Sequence, residues 1–165
     1  MLGLAKNGDY EGLKEYLESL VDDDNKVWGE TRYCENTTIN MILTMYKRRA
    51  KENGISVKIS AKASNNLAVP PQDLVIVIAN LFENAINATA KLKGKGRNID
   101  IQIKDSPERL LIKIDNPCRA NLSFDETLYG IGIRSVIATT TKYEGMYDFT
   151  AEDGVFSAKT ILNLR

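Results

Sequence analysis

The sequence of 165 residues contains no histidine, which excludes imidazole bases, histidine-dependent triads and histidine metal sites. A chain without histidine also cannot carry a phosphohistidine. Cysteine is scarce: Cys34 and Cys118 are too few for a disulfide framework and suit a reducing compartment. No sign of charge dominates. The 22 basic and 22 acidic side chains cancel, so nothing electrostatic points to nucleic acid or an anionic membrane as the main partner. Long apolar runs are missing too. The longest, Leu74 to Ala79, falls far short of the ~20 residues that cross a bilayer. Asp9, Glu11 and Glu15 come too early for a signal peptide. What is present is an ordinary globular composition, 43% hydrophobic and 27% charged, in a chain of one-domain length that can bury a sizeable core.

Apolar periodicity places the elements. Asp9 can cap a helix over 9–21, with Tyr10, Leu13, Leu17, Leu20 and Val21 on one stripe. The run Asp22 to Asn25 reads as a solvated break. A second helix is expected over 38–52, capped by Asn36 or Thr37, with Ile39, Ile42, Leu43, Tyr46 and Ala50 buried, and stopped by Asn53-Gly54. Lys47, Arg48, Arg49 and Lys51 near its end read as dipole complements and solvated charge. Strict alternation over 55–61 predicts a half-buried strand. Pro70-Pro71 opens a long helix over 72–92, whose core face is Leu74, Val77, Ile78, Leu81, Ala85, Ala88 and Leu92. Two alternating runs, around Ile99–Ile103 and Leu110–Ile114, form a hairpin across Asp105-Ser106-Pro107-Glu108. A helix follows Gly130, and strands at 146–151 and 155–164 close on Glu152-Asp153-Gly154. The expected fold class is α+β: a two-layer sandwich of a mixed sheet with helices on one face, preceded by a short helical segment.

Three constellations carry chemistry. On the long helix, Asn80, Glu83, Asn84, Asn87 and Lys91 share a polar stripe. Asparagine costs ~0.5 kcal/mol or more relative to alanine inside a helix, so three on one stripe ask for a reason. Side-chain oxygens at i and i+4 suit a hard cation such as Mg²⁺, and they equally suit a solvated polar face. Second, Asp115-Asn116-Pro117 ends a strand. Its carboxylate can accept from an exocyclic amine, or simply close an Asx turn. Third, Gly130-Ile131-Gly132 at a helix start lets backbone N–H groups approach a phosphate. It has neither Walker nor Rossmann spacing.

In this order and on these elements, the three resemble the N box and the two glycine boxes of the GHKL superfamily of ATPases and kinases. The chain looks most like the ATP-binding domain of sensor histidine kinases of the quorum-sensing and citrate-sensor type. Asn80–Ala88 matches the N box, Asp115-Asn116-Pro117 the abbreviated first glycine box, Gly130-x-Gly132-x-Arg134-Ser135 the second, and Asp153–Phe156 the closing hairpin. The departures are the missing glycines of the first box and Leu128-Tyr129 at the start of the second.

The resemblance implies a two-layer GHKL (Bergerat) ATP-binding domain over 35–165, with 1–34 a remnant of the dimerisation and phosphotransfer hairpin. It implies ATP and Mg²⁺, with Asn84 on the metal and Asn80 on metal or phosphates. Asn87 and Lys91 complete the polar stripe that lines the nucleotide. Asp115, with Asn116, would recognise adenine, and Gly130 and Gly132 would lie against phosphates. Residues 117–129 would form a lid. Asn80 stands where hydrolysing relatives carry glutamate, and a neutral amide cannot take a proton from water. Glu83 is the remaining candidate base, one turn out of place. The implied activity is therefore γ-phosphoryl transfer to a histidine outside this chain, on a dimerisation helix of the parent kinase, with a response regulator as the indirect partner and a homodimer possible. The implied location is the cytoplasm, with a membrane-anchored parent. The acceptor histidine is expected just upstream of where this sequence begins. Two alternatives keep the same fold: a serine kinase of the anti-sigma type, and a non-catalytic interaction module with weak ATP affinity.

Overall fold

A computed structural model describes residues 32–120 and 129–165. The helix expected at 9–21, the acidic run after it and most of the implied lid lie outside the described residues. Among those described there are three helices and five strands, in the order α1 (Thr37–Glu52), β1 (Ser56–Lys62), α2 (Pro71–Ala90), β2 (Asn98–Asp105), β3 (Arg109–Pro117), α3 (Ile131–Lys142), β4 (Met146–Glu152) and β5 (Val155–Asn163).

The strands form one mixed sheet ordered β1-β2-β3-β5-β4. β1 and β2 are parallel, as a crossover through α2 requires, and the other neighbours are antiparallel. The expected hairpins are both present. In the β4–β5 turn Asp153 (φ 50°) and Gly154 (φ 78°) both take the left-handed conformation that such a tight turn needs. One face of the sheet is apolar, with Ile99, Ile101, Ile103, Leu110, Ile112, Ile114, Phe156, Ala158 and Leu162 buried under the helices. The other face carries Lys58, Asp100, Lys113, Asp115 and Lys159. This is the alternation that a sheet packed on one side shows.

α1 begins where its sequence said it would. Asn36 Oδ1 accepts from the Ile39 N–H at 3.0 Å, a cap worth ~1 kcal/mol. Asn40, buried on α1, accepts from the N–H groups of Tyr33 and Cys34, which fastens the entering chain to the helix. Gly54, at φ 68°, turns the chain out of α1 into β1.

α2 lies centrally, packed against α1 on one flank, α3 on the other and the sheet below. That explains a difference from the sequence reading. Val75, Ala79, Phe82 and Ile86 are buried as well as the expected face, because the helix is covered on three sides, whereas Ala88 and Leu92 are only half-buried. At its first turn Asp73, 5% exposed, accepts from Lys142 Nζ at 2.8 Å and from the Tyr143 hydroxyl at 2.5 Å. Burial and the adjacent Asp73 carboxylate push the Tyr143 phenol well above its ordinary range. This cluster ties the end of α3 to the start of α2, so the two helices run antiparallel.

Candidate nucleotide site

The polar stripe of α2 does not face solvent as a unit. Asn80 is 4% exposed and Glu83 3%, Asn84 and Asn87 are half-buried, and Lys91 is exposed. The burial of Asn80 comes from α3. A Cβ on Gly132 would sit 3.0 Å from Asn80 Oδ1, so the missing side chain is what allows the amide in. Asn80 Nδ2 donates back to the Ile76 carbonyl at 2.6 Å, which orients the oxygen toward α3. Gly132 is expected to let backbone N–H groups approach a phosphate, and the structure shows it also making room for Asn80. The consequence is that the long helix and the start of α3 meet at the pair of residues that the motifs named.

Gly130 is the N-cap of α3. No side chain caps this end, and the first turn holds no acidic residue. Among the described residues nothing lies within 4 Å of where a Cβ on Gly130 would be, and in that sense this end of the helix is open. Its backbone N–H groups and the helix dipole favour an anion there. Asn84, one turn beyond Asn80, is ~6 Å further along the same side of α2.

β3 separates two neighbours that the sequence reading took together. Asn116 is 2% exposed and continues the buried parity of Leu110, Ile112 and Ile114, so it lies on the helix side of the sheet. Its Nδ2 donates to the Pro117 carbonyl at 3.0 Å. Asp115 points to the opposite face. Its Oδ2 is 2.8 Å from Lys113 Nζ, and together with Asn116, Lys58 and Asp100 it borders an open groove of about 600 Å³. By strand parity Asn116 lies on the helix side of the sheet and Asp115 on the other, and the two meet at the groove. The strand's alternation already carried that signal.

Glu83 faces α1 and not α3. Its Oε1 lies 3.9 Å from Arg49 Nη1. Tyr46, stacked on Phe82 at 5.5 Å, has its phenol pushed up to about 12, by burial first and by the Glu83 charge second.

Among the described residues no group of three His, Cys, Asp or Glu side chains can hold a metal. The donors on the stripe are amide oxygens, hard and neutral. They fit Mg²⁺, which takes one or two protein oxygens and leaves the rest of its shell to water and phosphate. Asn84 is the residue that would hold it.

A central asparagine-bearing helix, an open helix start across from it and a mixed sheet beneath define the class of small α/β ATP-binding domains. Residues 69–163 match the family described as the GHKL domain, and the chain belongs to that family. It is 28% identical over 135 residues to a probable C4-dicarboxylate sensor kinase of Bacillus subtilis (strain 168); the match covers 79% of this chain and 25% of that protein. The chain therefore spans about a quarter of that relative's length. The fold is also that of solved histidine kinases. The Acinetobacter baumannii histidine kinase AdeS superposes with a TM-score of 0.62 at 14% identity, over 78% of this chain and 64% of that one. The catalytic domain of histidine kinase ThkA gives 0.61 at 14% identity, over 77% and 91%. Among the described residues no helix is long and apolar enough to cross a membrane.

Proposed function

We propose that this domain binds Mg-ATP and passes the γ-phosphoryl to a histidine carried by another segment or another chain. The observation that carries this is the contact of Asn80 with Gly132, which sets the asparagine stripe of α2 against the open start of α3. In this reading Asn84 holds Mg²⁺, which supplies charge neutralisation to the triphosphate when bound. Asn80, Asn87 and Lys91 line the phosphates together with the N–H groups that follow Gly130 and Gly132. Asn116 reads the adenine edge, its amide able both to donate and to accept. Asp115, on the far face of the sheet, is left out of that contact.

Nothing on the stripe activates water in this reading. Asn80 is a neutral amide, and Glu83 is engaged by Arg49 on the α1 side. The domain's contribution is alignment and charge stabilisation, which is most of what phosphoryl transfer needs. The acceptor then sits on a dimerisation helix, residues 35–165 make up the catalytic unit, and a response regulator receives the phosphoryl afterwards. The free thiols of Cys34 and Cys118 suit the cytoplasm, where ATP is available.

Calorimetric titration with Mg-ATP tests binding, and heat saturating at or below millimolar nucleotide is expected. With γ-labelled ATP, acid-labile phosphate is expected on an added histidine-bearing helical domain and never on this chain alone. Acid-stable label on a partner's serine would move the assignment to a serine kinase, and silence in both assays would leave an interaction module.

A further inference from the structure

The four cations near the end of α1 look alike in sequence, and the structure sorts them. Lys47 lies over the Tyr33 ring at 5.5 Å, and Arg48 pairs with Glu52 in solvent. Arg49 turns inward. Its Nη1 is 3.9 Å from Glu83 Oε1, and its guanidinium is 6.0 Å from the centre of the Tyr46 ring, which itself stacks on Phe82. The Glu83 side chain is 4% exposed and that of Arg49 25%. Two consecutive residues of α2, Phe82 and Glu83, therefore meet one turn of α1.

Helix-dipole complementation does not require an inward arginine. Nor is stability a sufficient account, since a buried ion pair is no more stabilising than apolar side chains of the same size. What the pair adds to the apolar packing is a charge contact at one defined point on α2, made at 3.9 Å, longer than a hydrogen bond. At 100° per residue, Glu83 and Asn80 are about 60° apart around the α2 axis, and Asn84 lies about 40° beyond Asn80. α1 holds the helix at Glu83, and α3 touches it at Asn80. These two contacts act on the roll of α2 together with its apolar packing on three sides, and the roll decides where Asn84 points.

We propose that Arg49 is a positioning residue of the nucleotide site: by holding Glu83 it fixes the roll of α2 and so aims Asn84, the next residue along, at the metal-bearing triphosphate. Glu83 becomes an anchor and not a proton acceptor. The inference rests on the Mg-ATP reading above.

The test uses the 165-residue chain, titrated with Mg-ATP and, in chelator, with metal-free ATP. The double variant Arg49→Met with Glu83→Met replaces the pair by apolar chains of similar length and is expected to melt at or above the parent temperature. Its Mg-ATP affinity is expected to fall about tenfold, the lower end for losing a group that orients a metal ligand, while metal-free ATP binds within twofold. Arg49→Lys, which keeps the charge, is expected to hold both affinities within about threefold, because a point charge replaces a fork that makes one long contact here. A double variant that binds Mg-ATP like the parent overturns the inference, as does an equal loss with and without metal. A double variant that no longer folds makes the pair structural and overturns it as well. If the parent itself binds no nucleotide, the Mg-ATP reading falls and takes this inference with it. A parent that binds beside an unaffected double variant sinks this inference alone.

Discussion

The antiparallel pair α2–α3 has two ends built from opposite materials. At one end Asp73 is buried, and one of its carboxylate oxygens takes both Lys142 and the Tyr143 hydroxyl. At the other, a bare glycine meets a neutral amide, and the start of α3 has no capping side chain. The first end pairs these groups internally and so clamps the two helices, with Lys142 and Tyr143 also lining a cavity of about 520 Å³. At the second, no side chain among the described residues caps the backbone N–H groups, and in the proposed reading a ligand takes them. A helix pair clamped at one end and open at the other is a suitable frame for a ligand, because the closed end sets the spacing that the ligand meets. The physical lesson is that a site can be recognised by polar groups that the fold brings together at a helix start with no side-chain cap among the described residues.

The sharpest way to break this contrast is at the open end. Asn84→Ala removes the amide oxygen assigned to the metal. Affinity for Mg-ATP is expected to drop about 100-fold, the upper range for disturbing a metal's ligand set. Because Asn84 is half-buried and alanine is the better helix former, the melting temperature should hold or rise. Unchanged nucleotide affinity in a folded variant would remove Asn84 from the site.

At the closed end the opposite pattern is expected. Asp73→Asn keeps the shape and removes the charge that Lys142 and Tyr143 share. Lys142 is 61% exposed and can turn to water, so the loss comes chiefly from the charged hydrogen bonds at a buried acceptor, about 2 kcal/mol of stability. Chemical denaturation should read this as a lower midpoint with the slope unchanged. With the fold populated, Mg-ATP affinity should stay within about threefold, since Asp73 is seven residues, some 10 Å of helix, from Asn80. If instead affinity falls while stability does not, the two ends are not the separate devices described here.

Much of this arrangement was legible in the sequence, and the reasons are local. Alternation in 99–103 and 110–114 and the stripe on 72–92 reflect backbone geometry, which repeats without reference to the rest of the chain. The cap at Asn36 and the turn at Asp153-Gly154 are equally local, and both are found as expected. What periodicity could not supply is which neighbour covers each face. It put Asn80, Glu83 and Asn84 on one stripe and could not say that α3 covers the first, α1 the second and neither the third fully. Asp115 and Asn116 differ in another way. Their opposite directions follow from strand parity, and extending the Leu110, Ile112, Ile114 series by one step reaches Asn116. Arg49 was hidden among like charges, and only the packing of α1 on α2 distinguishes it from Arg48. The Asp73 cluster joins positions 69 and 70 residues apart, a separation at which local pattern carries no information.

The finest probe of the two-ended frame is the glycine where the helices touch. Gly132→Ala adds one methyl group 3.0 Å from Asn80 Oδ1, closer than a carbon and an oxygen pack comfortably. Either Asn80 moves or α3 does. Moving Asn80 would disturb its bond to the Ile76 carbonyl; moving α3 would shift the open N–H groups, because Asp73 holds its far end. Alanine in place of glycine favours the helix by just under ~1 kcal/mol, while crowding costs about as much, so stability should change by less than ~1 kcal/mol. Both movements displace groups assigned to the phosphates, and Mg-ATP affinity is expected to fall about fivefold, equivalent to ~1 kcal/mol. ADP should lose less than ATP if the displaced groups face the γ-phosphate end. Equal losses for the two nucleotides would put the contact nearer the inner phosphates, and no loss would mean that the meeting of Asn80 and Gly132 only joins the helices.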